Sequence, residues 1–268
     1  MFSVIKATFV RNTIAMYRAY PWSFFLGHIL TGVYTVLFAY FTYTYVFKGS
    51  LDPRFKIYAG SNDYLSYVIL GGALYSFAVS TLMNVSRSLI TEYREGTLEG
   101  LLISPFSRKG YFIGNVTQQI MRTSLEFIII VTFGLIFGLD LSKINIFGAI
   151  LIWVLSIFSF FCQALFLGSI MLYFRDTYIS QNTLFFIMSF VSGVTFPVAY
   201  LPDWIKPLSY IMPLFPSLTM FRSVVIEGQL ISLHINDVIH LLVLSITYLF
   251  IGSISIKHME KRIIEQHY

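Results

Sequence analysis

The residues of this chain that can carry chemistry are few and scattered. The five histidines are dispersed, most of them near the ends of apolar runs where a histidine is usually an interfacial polar residue, and the single cysteine, Cys162, lies inside such a run. The sequence contains no Gly-x-Ser-x-Gly elbow, no His-Glu-x-x-His pair and no Gly-x-x-x-x-Gly-Lys-Ser/Thr phosphate loop. We therefore predict a protein that is not an enzyme and that holds no metal or cofactor of its own.

One set of polar residues falls on a single helix face inside an apolar run. Asn115, Gln119, Arg122 and Glu126 are spaced at i, i+4, i+7 and i+11. Glu126 lies about three turns before the end of that run, at Leu139, so it is predicted to lie within hydrocarbon, where an ionised carboxylate is costly. Either this polar stripe serves a subunit interface or a substrate pathway, or Arg122 and Glu126 form a structural ion pair that fixes the rotation of the helix. The structural interpretation is favoured.

A charged loop carries the strongest local signal. It reads Glu-Tyr-Arg-Glu-Gly-Thr-Leu-Glu-Gly-Leu-Leu-Ile-Ser-Pro from position 92 to 105. Leucines at i, i+3 and i+4 give its second half one apolar face, and the proline ends the short helix. This pattern favours a docking helix for another protein, and the alternative is a connector whose leucines rest on the bilayer. The residues assigned to the docking surface are Glu92, Arg94, Glu95, Gly96, Thr97, Leu98, Glu99, Leu101, Leu102 and Pro105.

Aromatic residues form a third candidate site. Tyr34, Phe38 and Phe41 continue one helical face, Tyr75 lies in the next apolar run, and Phe196-Pro197 predicts a helix break that would act as a hydrophobic plug. Ser192 and Gly193, just before it, are small enough for close helix approach at a dimer axis. An aromatic lining suits an amphipathic substrate. The alternative is an interfacial belt with ordinary packing.

The elements that position these residues are predicted to be membrane helices. The chain is 56% hydrophobic and only 12% charged, whereas a soluble domain carries roughly 25% charged residues. Apolar runs long enough to cross a bilayer predict an all-α membrane protein with six transmembrane helices. The predicted spans are 22–47, 64–86, 111–139, 146–174, 180–200 and 238–256. An amphipathic elbow helix is predicted over 1–20, and a proline-rich segment over 201–237 is predicted to form short re-entrant helices.

The distribution of charge predicts the orientation. Two thirds of the 18 Lys and Arg residues fall at the termini, in the 87–109 loop and its flanks, or in the 175–176 turn. The positive-inside rule places both termini in the cytoplasm. Because the whole net charge of +5 lies on that side, it is explained by membrane topology, and no nucleic acid partner is predicted. The basic residues assigned to the outside are Lys48, Arg54, Lys56, Lys143, Lys206 and Arg222.

The 92–108 sequence, together with the elbow helix, the six apolar runs and the Phe196-Pro197…Leu201-Pro202-Asp203-Trp204 segment, resembles the permeases of type-2 ABC exporters. That family includes multidrug, polyketide and peptide exporters and polysaccharide and teichoic acid exporters. The resemblance implies that residues 92–105 transmit movement from a separate ATPase subunit, which would bind the ATP and Mg²⁺. It also implies that the proline-rich segment narrows the external exit.

The sequence thus predicts a single transmembrane domain in the cell membrane of a prokaryote. It would pair with a second permease, identical or related, and with two copies of an ABC ATPase. Two alternatives stay open at this point. A secondary transporter or channel would need no ATPase, but such transporters usually show inverted repeats and more ionisable groups at the midplane. A membrane-embedded enzyme would need a clustered acid, base or metal set.

Overall fold

The computed structural model describes residues 1–19, 21–61, 63–94, 96, 107–174 and 178–265, and the described residues include ten α-helices and no strand. The helices are α1 (Phe2–Ala19), α2 (Pro21–Phe41), α3 (Pro53–Ala59), α4 (Tyr64–Arg94), α5 (Arg108–Ile136), α6 (Ile146–Phe174), α7 (Tyr178–Val191), α8 (Lys206–Ile211), α9 (Leu214–Ile226) and α10 (Ile235–Glu265). A π-helical turn continues α2 over Thr42–Val46, and 3₁₀ turns cover Val198–Tyr200 and Ile231–His234. The all-α prediction is confirmed.

Local sequence explains where several helices begin and end. Asp52 caps α3 because its side chain accepts a hydrogen bond from the Arg54 N–H at 2.7 Å, and Pro53 occupies the first helical position. Gly60 ends the same helix in a left-handed conformation, with φ of +77°. Ser107 caps α5 by accepting from the Gly110 N–H at 3.2 Å.

The long helices form a bundle with alternating directions. Ser80 of α4 donates to Glu126 of α5 at 3.4 Å, while Ser66, earlier in α4, accepts from the Asp140 N–H just beyond α5 at 3.0 Å. These two helices are therefore antiparallel. Ser159 of α6 accepts a hydrogen bond from Ser245 of α10 at 2.8 Å. Further along both helices, the rings of Phe166 and Tyr248 pack with their centroids 5.5 Å apart. Those two helices are therefore parallel.

The remaining contacts complete the pattern. Phe77 of α4 packs on Trp153 and Phe160 of α6. Tyr67 and Tyr75 of α4 donate to the carbonyls of Gly193 and Phe185, which shows that α7 runs antiparallel to α4. As a result, α4, α6 and α10 run in one direction, and α2, α5 and α7 run in the other. Helix α1, the end of α4, the start of α5 and the last described turns of α10 lie at one end of the bundle, which we call the loop end.

Five described helical segments are long and apolar enough to cross a membrane: Ile29–Val46, Tyr64–Ser86, Ile113–Ile136, Ile146–Phe174 and Ile231–His258. They coincide with five of the six predicted spans, and the number six stays a prediction. The structure differs over the predicted span 180–200. There α7 has 14 residues and ends at Val191, so its helix is about 21 Å long. The chain turns at Gly193, with φ of +78°, before it reaches Phe196-Pro197.

The proline-rich segment folds into α8, α9 and short 3₁₀ turns. Helix α9 is largely buried, with Leu214, Leu218 and Val224 in the core between α4 and α6. Ser209 of α8 donates to the carbonyl of Val191 at 2.6 Å, which ties α8 to the end of α7. This segment therefore packs into the bundle as part of its core at the end opposite to the loop end, which we call the cavity end.

Arg222, which the charge distribution assigned to the outside, is the residue that joins these elements. It lies in the middle of α9 and is only 6% exposed. Its guanidinium donates to the carbonyl oxygens of Tyr67 at 3.1 Å, Gly193 at 2.7 Å and Val194 at 2.6 Å. It also lies over the ring of Tyr67, 3.4 Å from the ring centroid. A single buried cation therefore holds α9, the start of α4 and the turn after α7 together.

This junction predicts a strong effect of one small substitution. A Cβ atom added at Gly71 would lie 2.1 Å from Nη2 of Arg222 and 2.2 Å from the carbonyl oxygen of Val194. Because a backbone oxygen and a caged guanidinium cannot yield, Gly71→Ala should cost about 3 kcal/mol of stability. We expect the midpoint of thermal unfolding in detergent to fall by roughly 5–10 °C.

Gly27→Ala is the matched control, since a Cβ atom at Gly27, also helical, meets no atom within 4 Å. Alanine has the higher helix propensity, so this variant should unfold at the same temperature or slightly higher. Equal midpoints for the two variants would show that the Arg222 junction does not restrain α4.

Candidate functional site

The predicted docking loop lies mostly outside the described residues. Glu95 and residues 97–106 are not described, which covers Thr97, Leu98, Glu99, Leu101, Leu102 and Pro105. The backbone of Glu92 and Arg94 belongs to the last turns of α4, and Gly96 is an exposed turn residue with φ of +69°. The assignment of these residues to a docking surface therefore stays a prediction, but the helices on both sides of it are well defined.

Helix α4 carries the chain well past its apolar span. The span Tyr64–Ser86 is followed by eight more helical residues to Arg94. At 1.5 Å per residue the whole 31-residue helix is about 46 Å long, compared with a hydrocarbon thickness of about 30 Å. Gly96 therefore lies beyond the apolar span, at the end of one rigid element. The positive φ at Gly96 is a conformation that most other residues avoid, so a glycine is needed at this break.

Helix α1 packs beside the start of α5, next to the loop. A Cβ atom at Gly110 would lie 3.2 Å from the Met1 carbonyl, and one at Gly114 would lie 2.7 Å from Cβ of Thr8. Asn12 of α1 donates to the side chain of Asn115. The predicted elbow helix is thus held directly against the helix that follows the docking loop.

Asn115, Gln119 and Glu126 of the polar stripe are buried and Arg122 is half-buried. The stripe contacts two different neighbouring helices. Asn115 faces α1 through its bond with Asn12, whereas Glu126 accepts from Ser80 of α4 and acts electrostatically on Arg122. Glu126 lies near the middle of the span Ile113–Ile136. These contacts join α5 to both of its neighbours, which supports the structural interpretation of the stripe.

Gln119 is the exception in this stripe. It is 1% exposed, and neither its Oε1 nor its Nε2 has a hydrogen-bond partner among the residues that the structure describes. An unpaired amide in a membrane interior loses the hydrogen bonds it would make in water and gains none. The amide of Gln119 therefore does not stabilise this conformation.

The predicted aromatic pathway residues lie in different surroundings. Tyr34, Phe38 and Phe41 are exposed on α2, where Tyr34 and Phe38 stack with ring centroids 6.1 Å apart. Tyr75 instead donates to the Phe185 carbonyl of α7 at 3.2 Å, and Phe196 packs edge-on against Phe190. Only the α2 residues therefore present a continuous aromatic face on the surface of the chain.

Two small residues predicted to serve a dimer axis are used inside the chain. Ser192 is 1% exposed, and the carbonyl of Gly193 accepts hydrogen bonds from Arg222 and Tyr67. Their small size lets the chain just after α7 lie close to α4 and α9 of the same molecule. The prediction of a dimer axis at these two residues was wrong. Arg222, 29 positions after Gly193, donates to the Gly193 carbonyl and holds the pair inside the chain.

The structure also reveals a cavity that the sequence did not indicate. It has a volume of about 540 Å³ and lies at the cavity end, with Pro197 in its wall. Polar groups at its wall come from Ser192, Arg222, Glu227, Gln229 and His234. The one signal in the sequence that could have pointed to this region is the arginine inside the apolar run Leu214–Ile226.

The buried amide of Gln119 yields a test that separates structure from function. Gln119→Leu removes two unpaired polar atoms at similar volume and should stabilise the protein by about 1–2 kcal/mol, raising its unfolding midpoint by a few degrees. Asn115→Leu removes the α1–α5 hydrogen bond and should lower the midpoint. A Gln119→Leu protein that unfolds at a lower temperature would mean that the amide is satisfied by a group such as an internal water.

Comparison with known proteins identifies the family. The family model described as ABC-2 type transporter matches residues 3–226, which extends over every helix from α1 to α9 and well over half of the chain. No curated protein gives a significant match. Five apolar helices of membrane-spanning length accompany this match. The chain therefore belongs to the ABC-2 type transporter family, as the multi-pass membrane permease subunit of an ABC transporter and not as an enzyme.

Proposed function

We propose that this permease exports an amphipathic substrate, driven by a separate ABC ATPase that docks on the 92–105 loop. The observation that carries the proposal is the sequence of this loop, with an apolar leucine face between charged residues. The loop connects the end of α4 to the start of α5, and both of these lie at the loop end of the bundle. The chain has no phosphate loop of its own, so ATP and Mg²⁺ would be bound by the partner subunit.

The assembly would contain two permeases and two ATPases. Closed two-fold symmetry is the commonest arrangement for such complexes, and the second permease would be an identical or a closely related chain. The exposed aromatic face of Tyr34, Phe38 and Phe41 on α2 would then face the partner permease or the substrate. These side chains are rigid and largely apolar, which suits an amphipathic cargo such as a drug, a lipid-linked glycan or a hydrophobic peptide.

Helix α4 would transmit the movement. It is continuous from the Arg94 end, next to the docking loop, to Tyr67 in the junction with Arg222. A displacement of the loop on ATP binding would therefore reach the turn after α7 and helix α9 without passing through a flexible connection. Alternation between inward-open and outward-open states would follow as a shift of this helix and the elements bonded to it.

The proposed location is the cell membrane of a prokaryote, with the loop end in the cytoplasm. The basic residues concentrate at this end, as the positive-inside rule requires. The cavity end would then face outwards, where α8 and α9 narrow the exit. A secondary transporter or channel without an ATPase is the alternative, and the family match to ABC-2 transporters favours the ATP-driven mechanism over it.

Leucine substitutions in the loop test the docking. Leu98→Glu and Leu101→Glu place a charge on the apolar face, and burying an unpaired charge at an interface costs several kcal/mol. We expect at least a tenfold loss of co-purifying ATPase, and with it the loss of ATP-driven transport. The measurement is affinity purification of the tagged permease from its own membranes, followed by quantification of the ATPase subunit.

Leu233→Glu is the control, because Leu233 is also an exposed leucine but lies at the cavity end. It should leave the association unchanged. ATPase recovery that is undiminished in Leu98→Glu and Leu101→Glu would contradict docking at this loop.

The substrate class is tested with the reconstituted complex. Representatives of the three amphipathic classes are added separately, and ATP hydrolysis is measured. We expect one class to raise the rate several-fold, and Phe38→Ala, which removes one ring from the exposed aromatic face, to weaken that stimulation more than the basal rate. Stimulation that does not change in this variant would exclude the α2 face from the pathway.

A further inference from the structure

The cavity at the cavity end holds two charged groups of opposite sign that do not pair with each other. Arg222 and Glu227 both line it, and neither has an oppositely charged side chain within salt-bridge distance among the residues that the structure describes. The other basic groups in the wall differ in this respect. Lys206 bonds to Asp203 at 2.7 Å, and His234 contacts Asp237 at 3.3 Å.

Arg222, on the positive side of the cavity, has N–H donors that its hydrogen bonds to the backbone do not use. A guanidinium carries five N–H donors, and Arg222 uses three of them on backbone carbonyls. Ser192, in the same wall, is almost fully buried, and its Oγ has no hydrogen-bond partner in the described part of the chain. An oxyanion such as a phosphate would accept from both groups and would supply the negative charge that Arg222 lacks.

The negative side is held in place by a polar network. Glu227 accepts from the side-chain amide of Gln229, whose Oε1 lies 2.8 Å from Nε2 of His234. Asn145 donates to the backbone carbonyl of Gln229 at 3.2 Å. The other carboxylate oxygen, Oε1, lies against Gly60, where an added Cβ atom would be only 2.0 Å away. The carboxylate is thus positioned by neutral groups and its charge stays available.

Aromatic rings complete the wall and indicate where the cavity lies. Tyr58 and Tyr210 line it, and both are about half exposed. Tyr faces attract alkylammonium groups. Trp204 and Tyr200, beside the cavity, are also exposed, and tryptophan and tyrosine concentrate at the level of the lipid headgroups in membrane proteins.

We propose that this cavity binds the zwitterionic headgroup of a phospholipid, with the phosphate at Arg222 and Ser192 and the ammonium group at Glu227. Arg222 lies in α9 and Glu227 caps the end of that helix, and both line the same cavity. The ligand chemistry is a phosphate joined to a primary amine, and it could be supplied by ethanolamine phospholipid or by a soluble phosphoamine. The inference does not depend on the direction or the energy source of transport.

The test is binding of lipid to the full-length chain in detergent, measured by native mass spectrometry. An ethanolamine phospholipid and a glycerol phospholipid with identical acyl chains are titrated separately. We expect the ethanolamine lipid to bind about tenfold more tightly. Glu227→Gln, which keeps the shape and the bond to Gln229, should abolish this preference, and Tyr58→Leu, on the exposed α3, should weaken it.

Asp140→Asn is the matched control, an exposed carboxylate at the same end of the bundle but outside the cavity. It should keep the preference. Competition by glycerophosphoethanolamine at equal concentration would support the headgroup chemistry and assign it to a soluble source. Equal binding of the two lipids by the unmodified chain, or an unchanged preference in Glu227→Gln, would overturn the proposal.

Discussion

The cage of carbonyl oxygens around Arg222 is the contact on which the cavity end depends. A buried cation must be compensated, and here three backbone carbonyls and the ring of Tyr67 do this without a carboxylate. The carbonyls of Gly193 and Val194 are free to accept because α7 has ended at Val191. The end of α7 thus provides the carbonyl acceptors for the arginine, and the arginine satisfies those carbonyls. Its hydrogen bonds join the turn after α7, the start of α4 and α9 into one rigid unit.

This junction connects the two regions to which we assign functions. Helix α4 starts at the junction and ends next to the docking loop, so it is the shortest covalent path between them. The same junction supplies the wall of the cavity, through Arg222 and Ser192. A lipid headgroup bound there would contact the elements that α4 displaces, and its binding would differ between two conformations of the bundle. Linkage then requires that the lipid also shifts the balance between those conformations.

The sequence alone was sufficient for the elements that depend on local patterns. Long apolar runs predicted α4, α5, α6 and α10, because a bilayer constrains the composition of a span over its whole length. The sequence alone was insufficient at residues 192–200. These residues are as apolar as a membrane span, but the helix has already ended at Val191. The reason is a contact with Arg222, about 30 residues later, which no local pattern records. For the same reason the contacts of Arg222 and the cavity beside it could not be predicted.

The unpaired polar groups in the interior add a physical argument for two conformations. Four buried side chains on α5, α6 and α9 have polar atoms with no hydrogen-bond partner within the described ranges: Gln119, Ser156, Gln163 and Ser217. Each such atom destabilises the packing in which it is unpaired. In a bundle with one functional packing, apolar residues at these positions would be more stable. In a bundle that alternates between two packings, a group that is unpaired in one packing can be paired in the other. The two packings can then be close in free energy, so that a ligand with a modest preference for one of them shifts the balance.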